Sequence, residues 1–78
     1  NIGHMKQSLI LAFDLKEENW TMRKRIYRQL QNIGAKLIYT SHWVLPFSKE
    51  NLVNMKQICN DVRSYGGKAE VIKGEKVV

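Results

Sequence analysis

Two segments of the chain have the hydrophobic pattern of β-strands. Residues 7–13 (QSLILAF) form a short apolar run, which predicts a central strand buried on both faces of a sheet. Residues 68–72 (KAEVI) alternate between polar and apolar side chains and predict the last strand. Residues 74–78 then form a tail, in which residues 76–78 could add a strand to a partner's sheet edge or fray.

A first amphipathic helix is predicted to run from Trp20 or Thr21 to Ile33. Asn19 or Thr21 can cap its start, and Gly34 stands where a residue in the left-handed conformation would end it. Its apolar positions recur at helical spacing and define one stripe: Met22, Ile26, Leu30 and Ile33.

A second helix is predicted to follow Pro46, with Ser48 as its N-cap. Phe47 can pack on Leu52 in the hydrophobic-staple arrangement, and Gly66 with Gly67 ends the helix. Its apolar stripe consists of Leu52, Met55, Ile58, Cys59, Val62 and Tyr65.

Between the two helices lies an extended segment rich in β-branched and aromatic residues. Residues 35–47 would span about 43 Å as one straight strand, which is too long for a domain of 78 residues. The segment must therefore bend, bulge or form a hairpin, and we expect the break around residues 40–42.

The predicted order is β-α-β-β-α-β, which is the ferredoxin-like arrangement in the α+β class: an antiparallel sheet with two helices on one face. Residues 1–4 are interpreted as a cloning remnant, and residues 5–78 as one ferredoxin-like domain. The uncovered sheet face is left for a partner subunit or a ligand. Because so small a domain is marginally stable alone, a symmetric homodimer is expected.

The charge balance indicates an anionic partner. The chain carries a net charge of +6 and has a pI near 9.7. Four cations lie in the first predicted helix, and we expect them to bind the phosphates of nucleic acid, with DNA favoured: Arg23, Lys24, Arg25 and Arg28. The alternative is that these charges only solvate an exposed helix face.

One cysteine cannot form an internal disulfide, which is typical of a reducing cytoplasm. Its position inside the apolar stripe predicts that Cys59 is a small buried hydrophobe. No apolar run approaches the roughly 18 residues that a membrane span needs.

Asp14 is the strongest candidate for a metal-binding residue, because it ends the first strand next to Glu17 and Glu18. Mg²⁺ takes oxygen ligands and is often held by one or two carboxylates together with phosphate. Two copies of Asp14 across a two-fold axis could supply such a pair. The alternative is that Asp14 caps the following turn.

His42 beside Trp43 could act as a general base or stack on a nucleobase, but such a pair is more often sheet surface and core. Ser41 has no recognisable histidine and acid arranged around it. The sequence contains no phosphate-binding glycine loop, no zinc-ligand spacing and no dinucleotide fingerprint.

Residues 13–15 (FDL) after an apolar strand, then an arginine-rich helix, Gly34 and a strand that reaches Ser41, resemble the CRISPR-associated Cas-two family. The resemblance implies a small ferredoxin-like dimer that binds duplex DNA in the spacer-integration complex, next to an integrase-type partner. It also implies Mg²⁺-dependent nuclease activity, reported for some members. The family's metal-binding aspartate corresponds to Asp14, and its serine to Ser41.

Two departures from that family are visible. Its glutamine two residues before the serine is replaced by Tyr39, and the spacing from Gly34 to Ser41 is about one residue longer. Residues 41–46 (SHWVLP) and 66–69 (GGKA) are instead similar to the N-terminal domain of chromate-resistance regulators. The spacing of Gly34, Ser41, Trp43 and Pro46 is also similar to the C-terminal domain of the phenylacetate-catabolism repressor.

Two main hypotheses follow. The first is a Cas-two-like homodimer that binds double-stranded nucleic acid, as a Mg²⁺-dependent endonuclease or as a scaffold for CRISPR adaptation. The second is a non-catalytic regulatory or protein-interaction module with the same fold. A ribonuclease of the small toxin type is a third.

Overall fold

The computed structural model describes residues 7–38 and 42–75. Seven elements follow one another: β1 (Gln7–Asp14), a 3-10 turn (Glu17–Asn19), α1 (Trp20–Asn32), β2 (Lys36–Ile38), β3 (His42–Pro46), α2 (Lys49–Ser64) and β4 (Lys68–Glu75). The strands form one antiparallel sheet in the order β2-β3-β1-β4. The predicted ferredoxin-like α+β fold is therefore confirmed.

β1 is one of the two inner strands, because it pairs with β3 along one edge and with β4 along the other. Leu9 and Leu11 are fully buried against the helices. The prediction that both faces of β1 are buried was wrong, because Ile10 and Ala12 on the opposite face are only half-buried. Within the described chain, both helices pack on the same side of the sheet and leave that second face open.

The long extended segment forms a hairpin. β2 and β3 pair antiparallel with Ile38 opposite His42, so the chain reverses direction between these two residues. Leu37 lies opposite Trp43, so the two residues share a face of the sheet. Residues 39–41, at the predicted break, lie outside the described part of the chain.

Both helices end as their glycines predict. Gly34 and Gly66 each have a φ of 85°, which glycine adopts without a Cβ penalty. After α1, the amide of Gly34 donates to the carbonyl of Gln31 and that of Ala35 to Leu30, both at 3.0 Å. Amides 66 and 67 donate equivalently at the end of α2, so each helix closes with a Schellman motif.

The two helix starts differ. Ser48 caps α2 as predicted, with its Oγ accepting a hydrogen bond from the amide of Asn51 at 3.0 Å. Asn19 occupies the N-cap position of α1, but its side chain makes no cap hydrogen bond. Its Nδ2 instead donates to the carbonyl of Tyr65 at 3.1 Å. Asn19 therefore links the start of α1 to the end of α2 by a tertiary hydrogen bond and does not cap its own helix. A bond of this kind contributes about 1 kcal/mol to the free energy of unfolding.

The core lies between the sheet and the helices. It contains the predicted stripe residues Ile26 and Leu30 of α1 and four residues of α2: Met55, Ile58, Cys59 and Val62. Cys59 is a buried free thiol, as predicted. β4 is longer than predicted and pairs with β1 as far as Gln7. Residues 76–78 of the predicted tail lie outside the described residues. No helix in the described ranges is long and apolar enough to cross a membrane.

Candidate nucleic-acid interface

Among the described elements, α1 carries the largest net positive charge. Burial of Ile26 and Leu30 fixes the rotation of the helix and turns the opposite face to solvent. That face carries the cations Lys24, Arg25 and Arg28, all exposed. The helix sequence contains no carboxylate, so no acidic side chain of α1 offsets these charges. We call the exposed residues of α1 the basic face: Trp20, Thr21, Lys24, Arg25, Arg28, Gln31 and Asn32.

Arg23 behaves differently from the other three predicted phosphate-binding cations. It is half-buried, and its Nη2 donates a hydrogen bond to the main-chain carbonyl of Leu15. This bond ties the segment after β1 to the first turn of α1. The sequence could not distinguish Arg23 from its neighbours, because its carbonyl partner is set by the path of the chain after β1.

Trp20 is the aromatic residue of the basic face, and the sequence pattern did not single it out as functional. Its side chain is 60% exposed, and the Nζ of Lys24 lies 4.6 Å from the centroid of its ring. One signal was available in the sequence: Trp20 lies opposite the apolar stripe on a helical wheel.

Asp14 lies at the last position of β1, exposed, on the open face of the sheet. It is opposite Lys68 of β4. No hydrogen bond or ion pair of its carboxylate occurs within the described part of the chain. The predicted alternative, a capping role, is not observed: Lys16 occupies the N-cap position of the 3-10 turn, and no side chain caps it.

A surface pocket of about 410 Å³ adjoins Asp14 at the paired ends of β1 and β4. Its lining combines two carboxylates and one ammonium group with small and aromatic side chains: Ala12, Phe13, Asp14, Lys68, Ala69 and Glu70. Gly67 packs closely against this end of β1, because a Cβ there would lie 2.6 Å from the carbonyl oxygen of Asp14. Among residues 7–38 and 42–75, no three His, Cys, Asp or Glu side chains cluster closely enough to hold a metal ion.

The other predicted site residues are not gathered around Asp14 in the described chain. Ser41 lies outside the described residues. His42 is exposed at the start of β3, while Trp43 is only 4% exposed and packs on Tyr27 with ring centroids 5.5 Å apart. Trp43 is therefore a core residue and presents no face to a nucleobase. Asp14 and the basic face lie on opposite sides of the sheet.

The open face of the sheet has an apolar centre. The strand register places Ile72, Ile10 and Val44 in one row across β4, β1 and β3. Ile10 and Val44 are half-buried, and Ile72 is 46% exposed. Lys36 lies next to Val44 on β2, at one end of this row. An apolar row of this kind, with polar residues around it, is typical of a protein–protein contact surface.

Comparison with known proteins supports the fold alone. No protein-family model matches the chain, and a search of curated proteins also found no match. Among solved structures, the chain is similar to the crystal structure of protein SP2199 from Streptococcus pneumoniae. The likeness has a TM-score of 0.62 and 16% sequence identity, and it covers 95% of this chain and 90% of SP2199.

Proposed function

We propose that this chain is a Cas-two-like homodimer that binds double-stranded nucleic acid, with DNA as the expected form. The observation that carries the proposal is the basic face of α1, where Lys24, Arg25 and Arg28 are exposed on a helix without a carboxylate. The cytoplasm is the expected location, and an integrase-type protein is the expected partner if the chain acts in CRISPR adaptation.

The spacing of these cations suits a phosphate backbone. Lys24 and Arg28 are one helical turn apart, about 6 Å along the axis, and Arg25 is three residues before Arg28. A guanidinium group presents a planar fork of donors that can bind two phosphate oxygens at once. Each contact with a duplex phosphate also releases condensed counterions, which makes binding sensitive to salt.

The double substitution Arg25→Gln/Arg28→Gln tests this interface. We expect weaker binding of a blunt DNA duplex, because two phosphate contacts are lost. The slope of log K against log salt concentration should become shallower by about 1.8, since each contact contributes about 0.9. Fluorescence anisotropy with a labelled duplex at several salt concentrations measures both quantities.

Lys49→Gln/Lys56→Gln is the matched control, because it removes the same charge from exposed positions of α2. We expect this variant to keep a slope close to that of the wild type. Equal losses in the two double variants would mean that net charge alone drives binding, and the assignment to α1 would be wrong.

The homodimer is proposed to form through the open sheet face. The row of Ile72, Ile10 and Val44 gives that face an apolar centre, and pairing two copies would cover it. In such a dimer the two basic faces point outward, because the helices lie on the other side of each sheet.

Ile72→Lys should shift the protein from dimer to monomer, because it places a charge in the proposed contact. Val53→Lys is the matched control, since Val53 is 63% exposed on α2 and lies away from the open face. Analytical ultracentrifugation distinguishes the two masses. A dimer that survives Ile72→Lys but dissociates in Val53→Lys would place the contact on the helices instead.

A second candidate function is Mg²⁺-dependent hydrolysis of phosphodiester bonds at Asp14. It is favoured by an exposed carboxylate that makes no other interaction in the described part of the chain. The fit to Mg²⁺ is incomplete within one chain, because Asp14 is a single carboxylate beside Lys68. A complete site would need the second copy of Asp14 or phosphate oxygens of the substrate as further ligands. The chemistry that Mg²⁺ would supply there is polarisation of the phosphate. Ser41 is the further site residue that the resemblance implies.

Asp14→Asn separates the two functions, because it removes the charge and keeps the shape. If the protein is a nuclease, labelled duplex DNA or RNA is cleaved only with Mg²⁺ and only by the wild type. If it is a binding scaffold, neither form cleaves, and both retain the duplex equally in a gel. If it is a protein-interaction module, neither form cleaves or retains the duplex. The positions of Asp14 and the basic face on opposite sides of the sheet favour the non-catalytic outcome.

A further inference from the structure

Trp20 is exposed in a way that the fold does not require. The other tryptophan, Trp43, is 4% exposed and belongs to the core, whereas Trp20 is 60% exposed. Its ring lies at the first position of α1, and its contact with the Nζ of Lys24 is a surface interaction. A large apolar ring held at the surface among cations is a common arrangement for contacting a partner.

We propose that Trp20 is a stacking platform for an unpaired nucleobase, and that Lys24 and Arg28 bind the phosphates that follow that base. This inference rests on the proposed function and narrows it, because it assigns an unpaired end or overhang as a preferred substrate. The bases inside a duplex stack on one another and offer no free ring face, so an unpaired base is the better partner for the indole.

The placement of the three side chains supports this assignment. Trp20, Lys24 and Arg28 are each four residues apart, so they follow one another on the same side of α1 at about 6 Å intervals. The first of these three positions holds an aromatic ring, and the next two hold cations. A strand along this line would place a base on the ring and its sugar–phosphate backbone beside the cations.

The charges around the ring also determine on which side of Trp20 the phosphates of the strand lie. Glu17 and Glu18 precede Trp20 on the 3-10 turn and are exposed, so they repel phosphates on that side. Lys24 and Arg28 attract phosphates on the other side. Lys24 already lies over the ring and is exposed, so its ammonium group can move from the indole to a phosphate as a base arrives.

Four probes test the inference: a single-stranded oligonucleotide, a blunt duplex, the same duplex with a three-nucleotide 3′ overhang, and that overhang made of abasic sugar–phosphates. The abasic overhang keeps the added phosphates and removes the bases. We expect the wild type to bind the base-bearing overhang more tightly than the abasic one, with stronger quenching of indole fluorescence by probes that have unpaired bases than by the other probes.

Trp20→Ala should weaken binding of the base-bearing overhang by roughly 5- to 150-fold and remove the difference between the two overhangs. Trp20→Phe should retain most of that difference, because a phenyl ring still stacks. Val53→Ala is the matched control for loss of an exposed apolar side chain and should change nothing. In both Trp20 variants the loss of blunt-duplex binding should be smaller than the loss of overhang binding.

Two failures are distinguishable. In the first, the blunt duplex binds through Arg25 and Arg28, but the wild type binds both overhangs equally, or Trp20→Ala still prefers the base-bearing overhang. Stacking on Trp20 is then overturned, and the proposed function stands. If no probe binds, or if binding does not depend on Arg25 and Arg28, the proposed function fails, and the stacking inference fails with it.

Discussion

β1 pairs with β3 on one edge and with β4 on the other, and this pairing holds its two faces toward opposite sides of the sheet. Successive side chains of a β-strand point to opposite faces, so those of β1 divide between the helical side and the open side. Leu9 and Leu11 face the helices and are fully buried. Ile10, Ala12 and Asp14 therefore face the other way, onto the open side.

This alternation separates the two functional candidates. The cations of α1 lie on the outer surface of the helical layer, whereas Asp14 lies on the uncovered side of the sheet. If two copies pair through their open faces, Asp14 lies near that contact and the two basic faces remain outside. A nucleic acid bound along α1 would then be held away from the carboxylate, so this geometry is better suited to binding than to cleavage.

The sequence was sufficient for features that depend on local chemistry. The apolar stripes of both helices, the left-handed glycines Gly34 and Gly66 and the cap at Ser48 follow from side-chain periodicity and backbone preference. A break in residues 35–47 followed from length alone, because one straight strand would not fit in the domain, but length did not distinguish a hairpin from a bend or a bulge.

Features that depend on the meeting of distant segments were not predictable. Asn19 binds the carbonyl of Tyr65, which is 46 positions away, instead of capping its own helix. Arg23 donates to the carbonyl of Leu15, a contact that depends on the path of the chain after β1. The prediction that both faces of β1 are buried was wrong because a short apolar run is consistent with one covered face as well as with two.

Amide chemical-shift mapping during titration with a short DNA duplex would show whether nucleic acid binds along the outward face of α1. We expect the largest shifts on the basic face, at Thr21, Lys24, Arg25 and Arg28, with small changes along α2. Shifts concentrated on the open sheet face, at Ile10, Val44 and Ile72, would contradict it.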